Sequence, residues 1–304
     1  MKNYLSLVKF SHTIFAMPFA MIGFTLGVYF LKVGYRIESE GTIWINVSQN
    51  YFLIKFILVL ICMITARNAA MAFNRWADRQ QDALNPRTAI REIPSGIISE
   101  KNALVFVVIN CVVFIISTFF INKLCFYLSP VALLVVLGYS YTKRFSFLCH
   151  LILGIGLGLA PVGAFVAVTG KFRIVPVLLG IVVMLWVSGF DIIYSLQDEQ
   201  FDKDNNFFSI PAKFGYQNAV SISVILHIFV IGLLVFIGVF GNFGLLYWIG
   251  TVVFACLLIY QHVVVQKFGL ERINLAFFTL NGLASILFGM LVITDIIMKL
   301  TLIR

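Results

Sequence analysis

Apolar stretches long enough to cross a lipid bilayer recur along the whole sequence, and no other feature restricts the fold as strongly. A spanning helix needs roughly 17 to 25 mainly apolar residues. Composition agrees, because the 304 residues are 61% hydrophobic and only 12% charged, with a mean hydropathy of +1.00, outside the range of soluble domains. We therefore predict an all-α, polytopic transmembrane helix bundle in one membrane domain, 1–304. The nine predicted spans are 10–31, 51–73, 103–122, 125–141, 147–169, 175–197, 217–240, 244–266 and 274–298.

The net charge of +9 is compatible with nucleic acid or with anionic lipid, and the positions of the basic residues decide between them. They lie in short loops between the spans. Of the 22 Lys and Arg residues, 13 fall in the N-terminus and the loops after spans 2, 4, 6 and 8, eight fall on the opposite side, and Arg67 lies inside span 2. Because positive residues accumulate on the cytoplasmic side, those even-numbered loops are predicted to be cytoplasmic. The partner of the chain is therefore the lipid bilayer, and nucleic acid is not expected.

Cysteines and histidines show no metal-binding pattern. The five cysteines stand singly in or beside apolar spans, without a CxxC pair, so neither a zinc nor a haem site is predicted. Each histidine is expected to be a packed or interfacial residue. The four are His12, His150, His227 and His262.

Two polar loops, after spans 2 and 6, hold most of the carboxylates and resemble each other. In both, polar residues recur every four positions, and the two sets are offset by 120 residues at all three positions. Each loop then continues to an Ile-Pro pair. This pattern predicts two pseudo-repeated halves, with acidic motifs at 74–82 and 191–202. The matching residues are Asn74, Asp78 and Asp82 in the first loop and Tyr194, Asp198 and Asp202 in the second.

The spacing of these carboxylates favours a magnesium-held pyrophosphate. A four-residue step turns a helix by only about 40°, so each set lies on one helix face. Mg²⁺ held by one or two carboxylates commonly completes its coordination with phosphate and water. A single DxxxD pattern would indicate a solvated loop face, but two identical acidic faces repel internally unless a cation binds them. Four basic residues are expected to bind the remaining phosphate oxygens: Arg75, Arg79, Lys143 and Arg144.

With these motifs the sequence resembles the UbiA superfamily of intramembrane aromatic prenyltransferases over essentially its full length, most closely the 4-hydroxybenzoate polyprenyltransferase branch. The family pattern is NxxxDxxxD after the second helix and a further acidic motif after the sixth. Similar stretches also occur at 85–88, 91–96 and 139–145. The motif residues are Asn74, Asp78 and Asp82, then Asp191, Asp198 and Asp202.

The resemblance implies Mg²⁺-dependent transfer of a polyprenyl group from polyprenyl pyrophosphate to the ring of an aromatic acid, in quinone biosynthesis. It also implies a site on the cytoplasmic side of the bacterial inner membrane. Ionisation of the donor leaves an allylic cation, which the ring carbon beside the phenol oxygen attacks before a proton is lost. The implied ligands are Asn74, Asp78 and Asp82 for one Mg²⁺, Asp198 and Asp202 for another, and Lys143 and Arg144 for the pyrophosphate.

Arg67 lies inside the second span, two helical turns before Asn74. An ionisable residue at membrane depth is costly and by default functional, and the resembling family uses an arginine at this spacing for the carboxylate of the aromatic acid. The alternative is a side chain that reaches back to the interface. Asp191 either assists metal binding or proton transfer, or pairs with a cation. Tyr139 and Tyr194 either contact phosphate or substrate, or belong to the interfacial aromatic belt.

The aromatic acceptor stays open between two quinone routes. Members that act in ubiquinone synthesis commonly carry Asp after the motif asparagine, whereas Arg75 follows here. This resembles a sister group that prenylates a dihydroxynaphthoate on a menaquinone route. Three glycines in the fifth span, Gly154, Gly156 and Gly158, either shape a tunnel for the prenyl chain or permit close helix packing.

A secondary transporter is the alternative of a different class. Transporters place ionisable residues and broken helices near the bilayer midplane, whereas the carboxylates and basic residues here gather at one membrane face. A structural scaffold has no need of paired acidic faces. Among prenyl-transferring enzymes, one that acts on haem or chlorophyll is a minor alternative. Arg67 is better suited to binding a small aromatic acid.

Overall fold

The computed structural model describes residues 2–8, 15–38 and 49–302, and this part of the chain is a bundle of long helices without strands. It confirms the all-α bundle of about nine transmembrane helices. Eight helices are long and apolar enough to cross a membrane, and the segment Met17–Lys32 is a shorter apolar helix. The long helices are α2 (Met17–Glu38), α3 (Gln49–Ala77), α5 (Glu100–Ile121), α6 (Lys123–Thr142), α7 (Cys149–Thr169), α8 (Ile174–Ser195), α10 (Ile210–Phe240), α11 (Leu245–Phe268) and α12 (Asn281–Leu302).

Short helices occupy the ends of the bundle. They are α1 (Lys2–Leu7), α4 (Arg79–Leu84), α9 (Glu199–Asp204), two 3₁₀ turns (Leu196–Asp198 and Gly269–Arg272) and a π-helical segment (Leu275–Leu280) that leads into α12. The start of the first predicted span, at residue 10, lies outside the described residues.

The predicted and observed helix boundaries differ by seven residues at the start of α10. Its span was predicted to begin at 217, but helical structure begins at Ile210. Ser209 caps this helix by accepting a hydrogen bond from Ala212 N, and Pro211 occupies the first turn, where its missing N–H costs nothing. Gly215 then interrupts the helix with φ +78°, a conformation that glycine adopts without strain. A short helical segment therefore precedes the apolar span, and hydropathy alone does not detect it.

Helices α7 and α8 approach each other closely through glycine. A Cβ on Gly158 would lie 2.5 Å from the carbonyl oxygen of Gly180, and one on Gly154 would lie 2.3 Å from that of Met184. Gly156 is different, because its nearest neighbour, Val136 Cγ1, would be 3.7 Å away. Gly154 and Gly158 thus permit close packing, which is the second of the two interpretations open from the sequence.

Three polar linkers meet at one end of the bundle. The linker after α6 is tied to the end of α3 by a hydrogen bond from Arg144 Nη2 to the carbonyl of Ala77, 2.6 Å. Phe208 N, between α9 and α10, donates to the carbonyl of Lys143 at 2.8 Å. The linker after α3 reaches the linker after α8 through the Arg87–Asp198 ion pair, 2.5 Å. Both acidic motifs therefore lie at the same end.

Candidate active site

The first acidic motif spans the junction between α3 and α4. Asn74 is in the last turn of α3, and Asp78 separates the two helices with φ −95° and ψ 8°. Helical i to i+4 backbone bonds nevertheless continue, from Asp78 N to Asn74 O at 3.0 Å and from Asp82 N to Asp78 O at 2.7 Å. Both carboxylates are buried, with 2% of Asp78 and 6% of Asp82 exposed. The four-residue spacing thus places the motif along one nearly continuous helical path.

Asp78 is held between two cations from the linker after α6. Lys143 Nζ lies 2.8 Å from Oδ2, and Arg144 Nη2 lies 3.6 Å from Oδ1. Asn74 Nδ2 also donates to Oδ2 at 3.3 Å. The cations that were predicted to bind pyrophosphate therefore stand directly beside the first motif.

Asp198, in the second motif, is bound by residues of the first polar loop. Arg87 donates from Nε to Oδ1 at 3.1 Å and from Nη2 to Oδ2 at 2.5 Å, a bidentate pair. Asn85 Nδ2 donates to Oδ1 at 3.3 Å, and Arg87 Nη1 reaches the hydroxyl of Tyr194 at 3.4 Å. The two loops thus close on each other through Asp198.

Arg87 keeps its charge in this setting. Partial burial lowers the pKa of its guanidinium, but the charge of Asp198, the hydrogen bonds to that carboxylate and the contact with Tyr194 outweigh burial. The net effect raises the pKa of Arg87 above its ordinary value, so the guanidinium stays protonated at any working pH.

Asp82 is paired with a cation of its own loop. Arg91 Nη1 lies 2.6 Å from Oδ1 and 2.8 Å from Oδ2, and Thr88 Oγ1 donates to the Asp82 carbonyl at 3.0 Å. Arg75 is buried nearby, 4% exposed, within electrostatic range of Asp82 and Arg91. No protein hydrogen bond reaches its Nη1 among the described residues.

Asp202 and Asp191 complete the second motif at different depths. Asp202, in α9, lies within electrostatic range of Asp198 and Lys143, so the two acidic loops share Lys143. Asp191, inside α8, contacts His150 at the start of α7, with 2.7 Å between Oδ2 and Nδ1.

Arg67 and Tyr139 form a polar region deeper in the bundle. The Tyr139 hydroxyl is within electrostatic range of Arg67, Arg75, Asp78 and Asp191, which gathers these groups into one region. Arg67 Nε is buried and has no hydrogen-bond partner among the described residues. A buried donor of this kind favours a ligand oxygen as its partner.

Arg79 does not contact the carboxylates of the two acidic motifs. Its Nε lies 2.7 Å from Glu100 Oε2, its Nη1 donates to the Trp76 carbonyl at 2.8 Å, and its guanidinium lies 4.8 Å from the centre of the Trp76 ring. Among the predicted substrate-binding residues it is the one that the structure does not bring to the cluster.

Four residues at the site were not singled out from the sequence. The similar stretches at 85–88 and 91–96 were noticed only as segments, and their polar members prove to bind the motif carboxylates. No signal marked the histidine, because its partner lies 41 residues away. The four are Asn85, Arg87, Arg91 and His150.

The donor set fits a hard divalent cation that is shared with a substrate. Within the described ranges, no group of three or more His, Cys, Asp or Glu side chains could hold a metal ion. Mg²⁺, however, usually takes only one or two carboxylates and completes its octahedron with phosphate and water. Asp78 Oδ1 is buried and accepts no hydrogen bond in the described part of the chain. The oxygen ligands therefore suit Mg²⁺ together with a pyrophosphate.

Comparisons with known sequences agree with this geometry. A model of the UbiA prenyltransferase family matches residues 41–283. A 4-hydroxybenzoate octaprenyltransferase from Pseudoalteromonas translucida is 29% identical over 225 residues, 74% of this chain and 77% of the relative. Another from Alkalilimnicola ehrlichii is 30% identical over 236 residues, 78% of this chain and 79% of the relative.

Solved structures share the fold. The apo structure of a UbiA homolog from Aeropyrum pernix K1 matches with a TM-score of 0.79 at 30% identity, covering 93% of this chain and 98% of that one. A UbiA homolog from Archaeoglobus fulgidus, solved with GPP and Mg²⁺, matches with a TM-score of 0.67 at 22% identity, covering 97% and 99%. The resemblance seen in the motifs thus extends to the whole bundle.

Proposed function

This chain belongs to the UbiA prenyltransferase family, and from that premise we propose that it transfers a polyprenyl group from polyprenyl pyrophosphate to the ring of 4-hydroxybenzoate or a closely similar aromatic acid. The reaction would serve quinone biosynthesis, in the bacterial inner membrane with the site facing the cytoplasm. The names of the similar relatives support the benzoate. The GPP and Mg²⁺ bound to the Archaeoglobus fulgidus homolog support the donor and the metal.

One observation carries the proposal. Two acidic motifs on separate loops meet at one end of the bundle, with cations between them and, deeper in the bundle, an arginine whose Nε is buried. Lys143 and Arg144, beside Asp78, bind the pyrophosphate. Arg67, whose Nε has no protein partner in the described part, binds the carboxylate of the acceptor. The residues that would hold Mg²⁺ are Asn74, Asp78, Asp82, Asp198 and Asp202.

The chemistry is an electrophilic substitution on the ring. The allylic C–O bond of the donor breaks, the pyrophosphate leaves with the electron pair, and an allylic cation remains. The ring carbon beside the phenol oxygen attacks this cation, and loss of the proton from that carbon restores aromaticity. Bound Mg²⁺ neutralises charge on the departing pyrophosphate. The side chains of the chain bind both substrates, orient them and exclude water from the cation.

A dihydroxynaphthoate on a menaquinone route is the second candidate acceptor, and Arg75 favours it. Its buried guanidinium has Nη1 free of protein hydrogen bonds within the described residues and lies, like Arg67, within electrostatic range of Tyr139. A second unpaired donor near Tyr139 suits an acceptor with an additional oxygen.

Prenyl transfer by the purified protein in detergent with Mg²⁺ tests the proposal. The donor is a long polyprenyl pyrophosphate, and the acceptors are 4-hydroxybenzoate and 1,4-dihydroxy-6-naphthoate in parallel reactions. Product from the benzoate supports the ubiquinone-type route, and product from the naphthoate alone moves the enzyme to menaquinone synthesis. If neither acceptor gives product in the presence of metal, the aromatic prenyltransferase proposal fails.

A further inference from the structure

The contact between His150 and Asp191 joins two helices beside the site. His150 is at the start of α7 and is 3% exposed. Asp191 belongs to α8, and its side chain is 24% exposed. The imidazole is thus buried in the bundle, whereas the carboxylate is partly exposed. Nδ1 and Oδ2 are 2.7 Å apart, the length of a strong hydrogen bond to an ionised group.

The surroundings of His150 determine which ring nitrogen carries the proton. The backbone N–H of Ile210, at the start of α10, donates to Nε2 at 3.4 Å. Nε2 is therefore the acceptor, and Nδ1–H donates to Asp191. The histidine backbone is also held, because Ser188 Oγ donates to its carbonyl at 3.1 Å. The ring is fixed from both sides in one orientation.

Asp191 differs from the carboxylates that face the pyrophosphate. Asp78, Asp82 and Asp198 each pair with Lys or Arg, whereas among the described residues Asp191 pairs with a histidine. It lies within electrostatic range of Tyr139, the side chain that also neighbours Arg67. The same tyrosine lies within electrostatic range of Arg67, the proposed partner of the acceptor carboxylate, and of Asp78, so Asp191 lies near the proposed acceptor as well as near the first acidic motif.

We propose that His150 is a positioning residue, which holds Asp191 so that its free oxygen accepts the proton from the acceptor ring. This inference rests on the proposed function. After the ring carbon has bonded to the allylic carbon, its C–H bond breaks. The electron pair of that bond returns to the ring, and the proton goes to the Asp191 carboxylate. His150 touches neither substrate and acts through the hydrogen bond from Nδ1.

Two conservative variants separate this role from a structural one. In His150→Asn, the amide nitrogen reaches the place of Nδ1 and keeps the donor to Asp191, but the acceptor for Ile210 N–H is lost. In His150→Gln, the amide reaches the place of Nε2 and keeps the contact with Ile210, but the donor to Asp191 is lost. We expect Asn to retain most of kcat and Gln to lower it by about 100-fold, the scale of general-base catalysis. Both KM values should change little.

An isotope effect supplies a readout that a structural role does not change. The acceptor is 4-hydroxybenzoate deuterated at the two carbons beside the phenol oxygen, or the dihydroxynaphthoate deuterated at its reacting carbon if that is the acceptor used. Once proton removal is slowed, deuterium should slow turnover further. The isotope effect on kcat should therefore rise in His150→Gln and in Asp191→Asn relative to the wild type and to His150→Asn.

A double variant completes the test. If His150 acts through Asp191, adding His150→Gln to Asp191→Asn costs no further activity. Additive losses, equal activity of the Asn and Gln variants, or isotope effects that stay at the wild-type value would each overturn the positioning role. A wild-type protein that prenylates no aromatic acid would instead refute the proposed function, so the two failures are distinguishable.

Discussion

Arg67 differs from the motif carboxylates in whether another protein group pairs with its side chain. Asp78, Asp82 and Asp198 have cationic partners within 2.8 Å, whereas Arg67 Nε has no protein partner in the described part of the chain. An unmet buried donor costs about 1–3 kcal/mol, a cost that a bound ligand would remove. The unmet Nε of Arg67 therefore supports its proposed role at the carboxylate of the acceptor.

Replacement of Arg67 should affect one substrate selectively. We expect Arg67→Ala to raise the KM for the aromatic acid by roughly 10- to 150-fold, the equivalent of about 1.5–3 kcal/mol for a charged hydrogen bond. The KM for the prenyl donor should change little. Steady-state kinetics with each substrate varied in turn measures both constants. An equal rise in the two KM values would show that Arg67 is structural.

Removal of a motif carboxylate should abolish turnover without unfolding the protein. Asp78→Ala and Asp198→Ala each remove a proposed Mg²⁺ ligand, and a bound metal contributes several kcal/mol to catalysis of this kind, or roughly 1,000-fold in rate. Activity in detergent and thermal unfolding are measured side by side. Asp204→Ala is the matched control, because this exposed residue of α9 accepts a hydrogen bond from Gln200 and belongs to neither acidic motif. Activity retained by both motif variants would contradict the two-magnesium arrangement.

The motif residues were predictable from the sequence because their spacing is local, whereas their partners were not. Four-residue steps place Asn74, Asp78 and Asp82 on one helical path whatever the rest of the chain does. The contact of Asp198 with Arg87 depends on how two loops 111 residues apart fold over each other. Hydropathy and helical periodicity contain no information on that closure.

At the scale of elements, α7 and α8 form a close helix–helix contact. Gly158 of α7 and Gly180 of α8 face each other's carbonyl oxygens, at 2.5 and 2.7 Å from an added Cβ. This approach brings Asp191 of α8 within reach of His150 on α7. The contact between α7 and α8 therefore positions residues of the candidate site as well as packing the bundle.

A matched pair of glycine variants tests this contact. Gly158→Ala pushes a methyl group into a backbone oxygen, which neither helix can avoid by rotating a side chain, and overpacking of this kind costs about 1–3 kcal/mol. Gly156→Ala, two residues away, meets nothing closer than 3.7 Å and should keep or slightly raise the melting temperature, because alanine has the higher helix propensity. Thermal unfolding in detergent measures the difference. If the two variants melted together, the close contact would not contribute to stability.

Hydropathy correctly predicted which segments form helices, but it did not predict where some of these helices begin or end. The spans predicted at 125–141 and 175–197 correspond within two residues at each end to α6 and α8. Helix α3 extends to Ala77 rather than 73, and α10 begins at Ile210 rather than 217. The additional turn of α3 contains Asn74 and Arg75 of the site, whereas the additional turns of α10 contain Pro211 and the interruption at Gly215. Caps and loop contacts, rather than hydropathy, set these two helix ends.

At the scale of the whole molecule, basic residues and the candidate site lie at the same end of the bundle, which predicts the orientation of the protein in the membrane. Lys143, Arg144, Arg87 and Arg91 all lie at the end of the bundle that contains both acidic motifs. Positive loops stay on the cytoplasmic side of a membrane. We therefore expect the site to open to the cytoplasm.

Cysteine labelling in cells tests this orientation at two exposed positions. Ile90, in the first polar loop, is 82% exposed, and Leu245, at the start of α11 on the opposite end, is 73% exposed. In a background without the five native cysteines, a membrane-impermeant maleimide should label Leu245→Cys in intact cells. It should label Ile90→Cys only in inverted vesicles, because five helices, α5, α6, α7, α8 and α10, separate the two positions. The reverse pattern would place the acidic loops outside the cell. Labelling of both positions from one side would contradict the odd number of crossings between them, and with it the arrangement of the bundle in the membrane.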